Sequence, residues 1–223
     1  MARVTVVDYG MGNLHSVAKA LEHAGAAEVV VSADPETVAA AERLVFPGVG
    51  AMRDCMGELQ RLGLDRAVTD FAATGRPLLG VCVGMQALFE SSEENGGTPA
   101  LGLLPGQVRA FPEGLSDATT GGPLKIPHMG WNEVHQVSEH PLLAGIEQDT
   151  RFYFVHGYYA EPASPDLITA FTVYPHPVTA MVSRDNIAGV QFHPEKSQAA
   201  GLALYANFLG WDGTTPDAPD TPE

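Results

Sequence analysis

The chain has 223 residues, of which 45% are hydrophobic, and this is enough for one domain with a substantial core. Its 12 basic and 27 acidic residues give a formal net charge of −15. The sequence has no run of basic residues that would indicate nucleic acid or a membrane surface as a partner. Two cysteines exclude a disulfide framework, and neither a membrane-spanning run nor a signal-peptide pattern is present. We therefore expect a cytoplasmic protein that acts on small molecules or with a protein partner.

The first half of the sequence alternates short apolar runs with helical patterns. Strands are predicted at 4–7, 29–31 and 44–46 and in the run that ends at Cys82. Helices are predicted at 14–21, from a start at Asp34-Pro35, at 52–62 and at 65–73. Strands that alternate with helices in this way predict an open α/β fold whose central sheet is mostly parallel and flanked by helices.

The second half is richer in β-type segments, which predict additional antiparallel strands on that sheet. They cover residues 107–111, 131–137, 151–159, 168–173, 179–183 and 187–192. A last helix, capped by Ser197, is predicted to close a single domain over residues 1–211. Residues 212–223 are acidic and proline-rich, and we expect a disordered tail there.

Cys82 is the strongest candidate for a reactive group. It lies between two glycines in Gly80-Val81-Cys82-Val83-Gly84, directly after an apolar strand. A strand that enters a helix through so tight a turn holds its nucleophile in a strained conformation, and larger flanking residues would collide with neighbouring backbone. The helix N-terminus also favours a thiolate. The alternative is a buried structural cysteine on a tight turn.

A thiolate that attacks an amide needs a base and a group that stabilises the developing oxyanion. His193 follows a predicted strand, and Glu195 lies two residues later, so the imidazole and the carboxylate can meet. Backbone N–H groups of the loop at Val49 and Gly50, together with that of Val83, are candidates for the oxyanion site. The alternatives are a structural histidine and an ordinary strand-to-helix turn.

The remaining candidates point to no cofactor and no metal. Cys55 has none of these surroundings, and we expect a packed apolar side chain. The loop that begins at Gly10 resembles a dinucleotide fingerprint, but His15 stands where the third glycine belongs. The histidines outside the 193–195 segment show no metal-ligand spacing.

These motifs together resemble the class I, or triad, glutamine amidotransferases. That family has a P-G-x-G oxyanion loop, a G-x-C-x-G-x-Q elbow and a late H-P-E, which here are residues 47–50, 80–86 and 193–195. The resemblance implies that Cys82 attacks the side-chain amide of glutamine, releasing ammonia and leaving a glutamyl thioester that water hydrolyses. It also implies that Gly50, Gln86 and Glu94 hold the substrate.

Within this class the chain is similar to the glutaminase subunits of imidazole glycerol phosphate synthase. The closer match is carried by residues 8–14, 125–132 and 153–159. It implies a heterodimer with a cyclase subunit, which uses the ammonia to convert PRFAR to imidazole glycerol phosphate and AICAR. The implied interface residues are His128, Met129, Trp131, Tyr153 and Lys196. This chain departs from the family pattern at Met52, Val83 and Gly157, and none of these departures removes a catalytic group.

Three other functions remain open on the sequence. The chain could be the glutaminase of a different synthase, such as that for pyridoxal phosphate, or a standalone cysteine hydrolase for γ-glutamyl peptides. A silent regulatory subunit is the third, although intact Cys82, His193 and Glu195 argue against it. We also expect the loop at 48–50 to supply its oxyanion donor only when a partner holds its ligand, because two glycines permit a peptide flip.

Overall fold

The computed structural model describes residues 2–112, 114–116 and 121–215. Its first half is a parallel sheet in the spatial order β2-β1-β3-β4, made by β1 (Arg3–Val7), β2 (Glu28–Ser32), β3 (Leu44–Gly48) and β4 (Leu78–Cys82). The connecting helices are α1 (Leu14–His23), α2 (Pro35–Ala39), α3 (Met52–Leu62), α4 (Leu64–Ala72) and α5 (Val83–Gln86). The predicted alternation of strand and helix is confirmed.

The second half widens this sheet and adds two smaller ones. Its strands are β5 (Ser91–Ser92), β6 (Thr98–Pro99), β7 (Gly106–Ala110), β8 (His128–Glu133), β9 (His135–Gln136), β10 (Arg151–His156), β11 (Tyr158–Pro162), β12 (Ile168–Val173), β13 (Pro177–Arg184) and β14 (Ile187–Val190). β14 pairs in parallel with β4, and β13, β12 and β9 follow with antiparallel pairing. β10 pairs with β8, and β11, β7, β5 and β6 form the third sheet. The predicted mixed α/β architecture is confirmed.

Two of the predicted strands are divided in the structure. The segment predicted at 151–159 is two strands, because β10 pairs with β8 whereas β11 pairs with β7, and Gly157 lies between them. The segment predicted at 131–137 is likewise shared between β8 and β9. Both segments are continuous β-type runs in the sequence, so only the change of partner strand reveals the breaks.

The last helix, α6 (Gln198–Gly210), packs four large apolar side chains into the core, from Leu204 to Leu209. Ser197 is the N-cap residue of this helix, as predicted, but its side chain makes no capping hydrogen bond. Its hydroxyl donates to the His193 carbonyl oxygen at 2.7 Å and accepts from the Tyr153 N–H at 3.0 Å. Ser197 therefore ties the segment that carries His193 to β10.

The chain end is described only as far as residue 215. Trp211 is 3% exposed, and its indole N–H donates to the Thr214 carbonyl oxygen at 2.6 Å, so the first residues after 211 still fold back onto the domain. The rest of the predicted tail, 216–223, lies outside the described residues. Among the helices that are described, none has the length and apolar character needed to cross a membrane.

Candidate active site

Cys82 occupies a strained turn at the end of the central strand β4. Its backbone has φ 55° and ψ −114°, a conformation that residues other than glycine rarely adopt, and α5 begins at the next residue. A Cβ at Gly84 would overlap the Phe46 carbonyl oxygen, and one at Gly80 would lie 2.8 Å from the Met85 Cα. Both flanking glycines are therefore required by the close approach of neighbouring backbone, as the sequence predicted.

His193 and Glu195 form a buried pair beside this turn. His193 lies at the start of a short 3-10 turn, Pro194–Lys196, and its Nδ1–H donates to Glu195 Oε1 at 2.8 Å. The two side chains are 3% and 2% exposed. The carboxylate therefore fixes the ring orientation and leaves Nε2 as the nitrogen available for proton transfer.

The protonation of His193 depends on Cys82 as well as on Glu195. Burial by itself lowers the pKa of the imidazole, but the interactions of the ring with Cys82 and Glu195 outweigh it and raise the pKa to about 10. Within the described part of the chain, Nε2 is buried and makes no hydrogen bond of ordinary geometry. His193 is therefore protonated at neutral pH, and its Nε2 proton is available beside the Cys82 sulfur for transfer to a leaving group.

The side-chain amide of a further residue, which the sequence did not predict, contacts the Cys82 sulfur. Gln191 is fully buried, and its Nε2 lies 3.7 Å from the Cys82 sulfur. On its other side the sulfur lies 4.0 Å from the Val155 carbonyl oxygen. The available signal was a polar residue at a buried position two residues before His193, since buried amides require hydrogen-bond partners.

Cys82 and His193 open onto one cavity of about 320 Å³. Every residue predicted for the oxyanion site or for substrate binding also lines it, namely Val49, Gly50, Val83, Gln86 and Glu94. Lys196, predicted at the partner interface, lies on the same wall. Glu195 is not part of the lining and stays behind His193, which fits a group that orients the imidazole without touching a ligand.

Glu94 connects this cavity to the predicted oxyanion loop. Its Oε2 accepts from the Met52 N–H at 2.6 Å, at the first residue of α3. Ala51, the residue before, offers no side-chain cap, so Glu94 caps the helix from a distant part of the chain. Gly50 has φ 91°, and a Cβ there would lie 2.7 Å from the Met11 side chain, so this loop requires glycine. One carboxylate therefore contacts both the cavity and the helix that follows the loop.

Gln86 is held more tightly than a residue that only meets a ligand. Its Nε2 donates to the Tyr158 carbonyl oxygen at 3.0 Å and to Gln191 Oε1 at 2.9 Å, and the residue is 4% exposed. The amide nitrogen is thus committed to the protein, and only the rest of the side chain is left to face a substrate.

Two further histidines near the cavity cannot replace His193 as the base. Burial lowers the pKa of His156 to about 3 and that of His128 to about 4. His156 Nδ1–H donates to the Tyr158 carbonyl oxygen at 2.8 Å, which leaves its Nε2 to accept from His128 Nδ1–H at 2.9 Å. Both rings are therefore neutral at ordinary pH, and of these three histidines His193 alone has a raised pKa.

The predicted interface residues divide between a surface and the interior. Met129 and Trp131 are 62% and 44% exposed on one face of β8, and Tyr153 lies opposite Trp131 on β10. Lys196 Nζ lies 5.6 Å from the centre of the Tyr153 ring, so these side chains lead from the surface to the cavity. His128 is the exception to the prediction, because alternation along β8 turns its side chain inward, where it is 3% exposed.

Comparison with known proteins agrees with this geometry. The family model for glutamine amidotransferase class-I matches residues 5–210. The chain belongs to this family. It is 59% identical to the imidazole glycerol phosphate synthase subunit HisH of Methylococcus capsulatus, over 95% of this chain and 98% of that protein. It is 56% identical to the HisH subunit of Thiobacillus denitrificans, over 94% and 91% of the two chains.

Solved structures show the same fold for this amidotransferase. The structure of PurLQS from Thermotoga maritima matches 94% of this chain and 99% of that chain with a TM-score of 0.71, at 19% sequence identity. At this identity the match supports the architecture alone. It agrees with the mixed α/β architecture of this chain.

Proposed function

We propose that this amidotransferase is the glutaminase subunit of imidazole glycerol phosphate synthase. The observation that carries the chemistry is a cysteine on a strained turn that shares one cavity with a buried His193–Glu195 pair. The choice of synthase rests on the relatives named HisH, which match nearly the whole chain at 59% and 56% identity.

Acylation begins when the Cys82 thiolate attacks the side-chain amide carbon of glutamine. The carbonyl oxygen becomes an oxyanion, which the Val83 N–H and an N–H of the loop at Val49 and Gly50 stabilise. His193, protonated at Nε2, gives its proton to the amide nitrogen as the carbon–nitrogen bond breaks. Ammonia leaves, and a glutamyl thioester remains on Cys82.

Deacylation uses the same groups in reverse. His193, now neutral, takes a proton from water, whose oxygen attacks the thioester carbon. The carbon–sulfur bond then breaks, glutamate is released and Cys82 returns as a thiolate beside the protonated imidazole. Glu195 keeps the Nδ1–H in place throughout, so Nε2 always faces the reaction.

The other lining residues hold the amino-acid end of glutamine. The Glu94 carboxylate binds the substrate ammonium group, since it lies on the cavity wall and brings a negative charge to it. Gln86 packs against the substrate with the part of its side chain that the protein does not engage.

The partner is a cyclase subunit that binds over Met129, Trp131, Tyr153 and Lys196. Large exposed apolar side chains such as Met129 and Trp131 mark an association surface. This surface adjoins the cavity through Lys196, so ammonia released at Cys82 has a short route to the partner. There the cyclase uses it to convert PRFAR to imidazole glycerol phosphate and AICAR. A cytoplasmic location suits this chemistry, because Cys82 must stay reduced.

Glutamate release tests the proposal. The chain is assayed alone, and with the cyclase subunit with and without its ribonucleotide, with Cys82→Ala as the control. We expect slow turnover alone, a rise of orders of magnitude in the liganded complex, and none with Cys82→Ala. Equal turnover alone and in the complex would point to a standalone hydrolase. Activation by the barrel of another synthase would reassign the partner, and an inactive parent chain would indicate a regulatory subunit.

A further inference from the structure

Gln191 has no part in the mechanism above, yet its amide contacts the reacting sulfur. The side chain is fully buried, and its Nε2 lies 3.7 Å from Cys82 Sγ. Its Oε1 accepts from Gln86 Nε2 at 2.9 Å. A buried amide with both ends engaged has a defined orientation, and that orientation decides what the sulfur meets.

The orientation follows from a backbone carbonyl that can only accept. The Tyr158 carbonyl oxygen accepts from His156 Nδ1–H at 2.8 Å and from Gln86 Nε2 at 3.0 Å, which fixes the Gln86 amide with its nitrogen inward. The second Gln86 N–H then donates to Gln191, so the Gln191 oxygen must lie on that side. The Gln191 NH₂ group is left to point at the sulfur.

Besides His193, two polar groups lie near the sulfur, and they favour opposite protonation states. The Val155 carbonyl oxygen, 4.0 Å away, can accept from a thiol but repels a thiolate. The Gln191 N–H can donate to a thiolate, which accepts hydrogen bonds far better than a thiol does. Loss of the Gln191 donor would remove a hydrogen bond to the thiolate, while the Val155 carbonyl oxygen would remain. The sulfur would therefore shift toward the thiol form.

We propose that Gln191 stabilises and orients the Cys82 thiolate by donating an amide hydrogen to its sulfur. The inference rests on the proposed role of Cys82 as the nucleophile. It adds to the active site a residue whose loss impairs formation of the nucleophile even when His193 and Glu195 are intact.

The test is the pH profile of iodoacetamide alkylation at Cys82 in the full chain, without glutamine or partner. Modification is assigned by peptide mass spectrometry. Burial raises the pKa of Cys55 to about 11, so that thiol does not compete near neutral pH. Gln191→Met keeps the side-chain length but removes the donor, and Gln191→Glu keeps an oxygen for Gln86 while it places a negative charge beside the sulfur. Gln60→Glu adds the same charge on the exposed face of α3 and serves as the control.

We expect the alkylation midpoint of Gln191→Met to rise by about one pH unit, which is a roughly tenfold slower reaction at neutral pH. Gln191→Glu should shift further, and Gln60→Glu should match the parent chain. A parent-like profile in a folded Gln191→Met chain would overturn the proposal. If circular dichroism shows that Gln191→Met does not fold, a parent-like profile for Gln191→Glu overturns it instead. Because no turnover is measured, failure of the proposed function appears separately, as absent glutamate release from the parent chain.

Discussion

Glu94 performs two tasks with one carboxylate, and two substitutions separate them. Its Oε2 caps α3 through the Met52 N–H at 2.6 Å, and the side chain also lines the cavity, where we propose that it binds the substrate ammonium. Glu94→Gln keeps an oxygen that can accept from Met52 but removes the charge. Glu94→Ala removes both. The cap should therefore be lost only in the alanine variant, whereas the charge is lost in both.

The magnitudes follow from these contacts. Loss of a helix N-cap costs about 1 kcal/mol, and loss of a negative charge at the helix N-terminus costs about 0.3–1 kcal/mol. Glu94→Ala should therefore unfold with a free energy about 1–2 kcal/mol below the parent chain, and Glu94→Gln should lose less than about 1 kcal/mol. A hydrogen bond to a charged group contributes about 1.5–3 kcal/mol, so both variants should raise KM for glutamine by about 10- to 150-fold.

Urea unfolding followed by tryptophan fluorescence gives the stabilities, and glutamate release at varied glutamine concentration gives KM. The Glu94→Gln variant is decisive, because its fold is predicted to be nearly intact. An unchanged KM in that variant would refute the role of Glu94 in substrate binding. Equal stabilities of the glutamine and alanine variants would refute its role as a cap.

Three further predictions concern the turn, the buried imidazoles and the partner surface. Gly84→Ala forces a Cβ against the Phe46 carbonyl oxygen and should lower the free energy of unfolding by at least about 1–3 kcal/mol in urea titrations and abolish most activity; a parent-like chain would contradict the turn geometry. Burial lowers the pKa of His140 to about 4, so between pH 7 and 5 the unfolded chain binds a proton that the native ring does not, and stability falls. Asparagine at this position still caps the following turn. Between pH 7 and 5 the free energy of unfolding of His140→Asn, measured by urea titration, should therefore fall by about 2 kcal/mol less than that of the parent chain. An equal fall in both chains would contradict the lowered pKa of His140. Trp131→Ala should weaken binding of the cyclase by about 2 kcal/mol or more, roughly 30-fold in Kd by calorimetry, and unchanged affinity would move the interface elsewhere.

The sequence predicted features that depend on residues close together in the chain. The strands and helices of the first half follow from local periodicity, and α3 has the bounds that the pattern indicates. The strained turn at Cys82 could be predicted because the two glycines that let neighbouring backbone pass close by lie within five consecutive residues. The meeting of His193 with Glu195 also needed only a separation of two residues.

The features that the sequence did not predict depend on contacts between distant segments. Gln191 meets Gln86 across 105 positions, and Glu94 caps a helix that begins 42 residues earlier. Ser197 precedes the last helix, but its hydroxyl donates to the His193 carbonyl oxygen and accepts from the Tyr153 N–H, so it does not cap that helix. The inward turn of His128 required knowledge of which face of β8 is covered. Each depends on tertiary packing, which periodicity does not encode.

The most direct test of the central claim is the fate of the amide nitrogen of glutamine. Amide-¹⁵N-glutamine is supplied to the complex of this chain with the cyclase subunit and PRFAR, in a large excess of unlabelled ammonium, and the product is examined by mass spectrometry. We expect imidazole glycerol phosphate with nearly undiluted ¹⁵N, because ammonia released at Cys82 passes to the partner without entering solution. Unlabelled product, with the ¹⁵N recovered as free ammonium, would contradict the account.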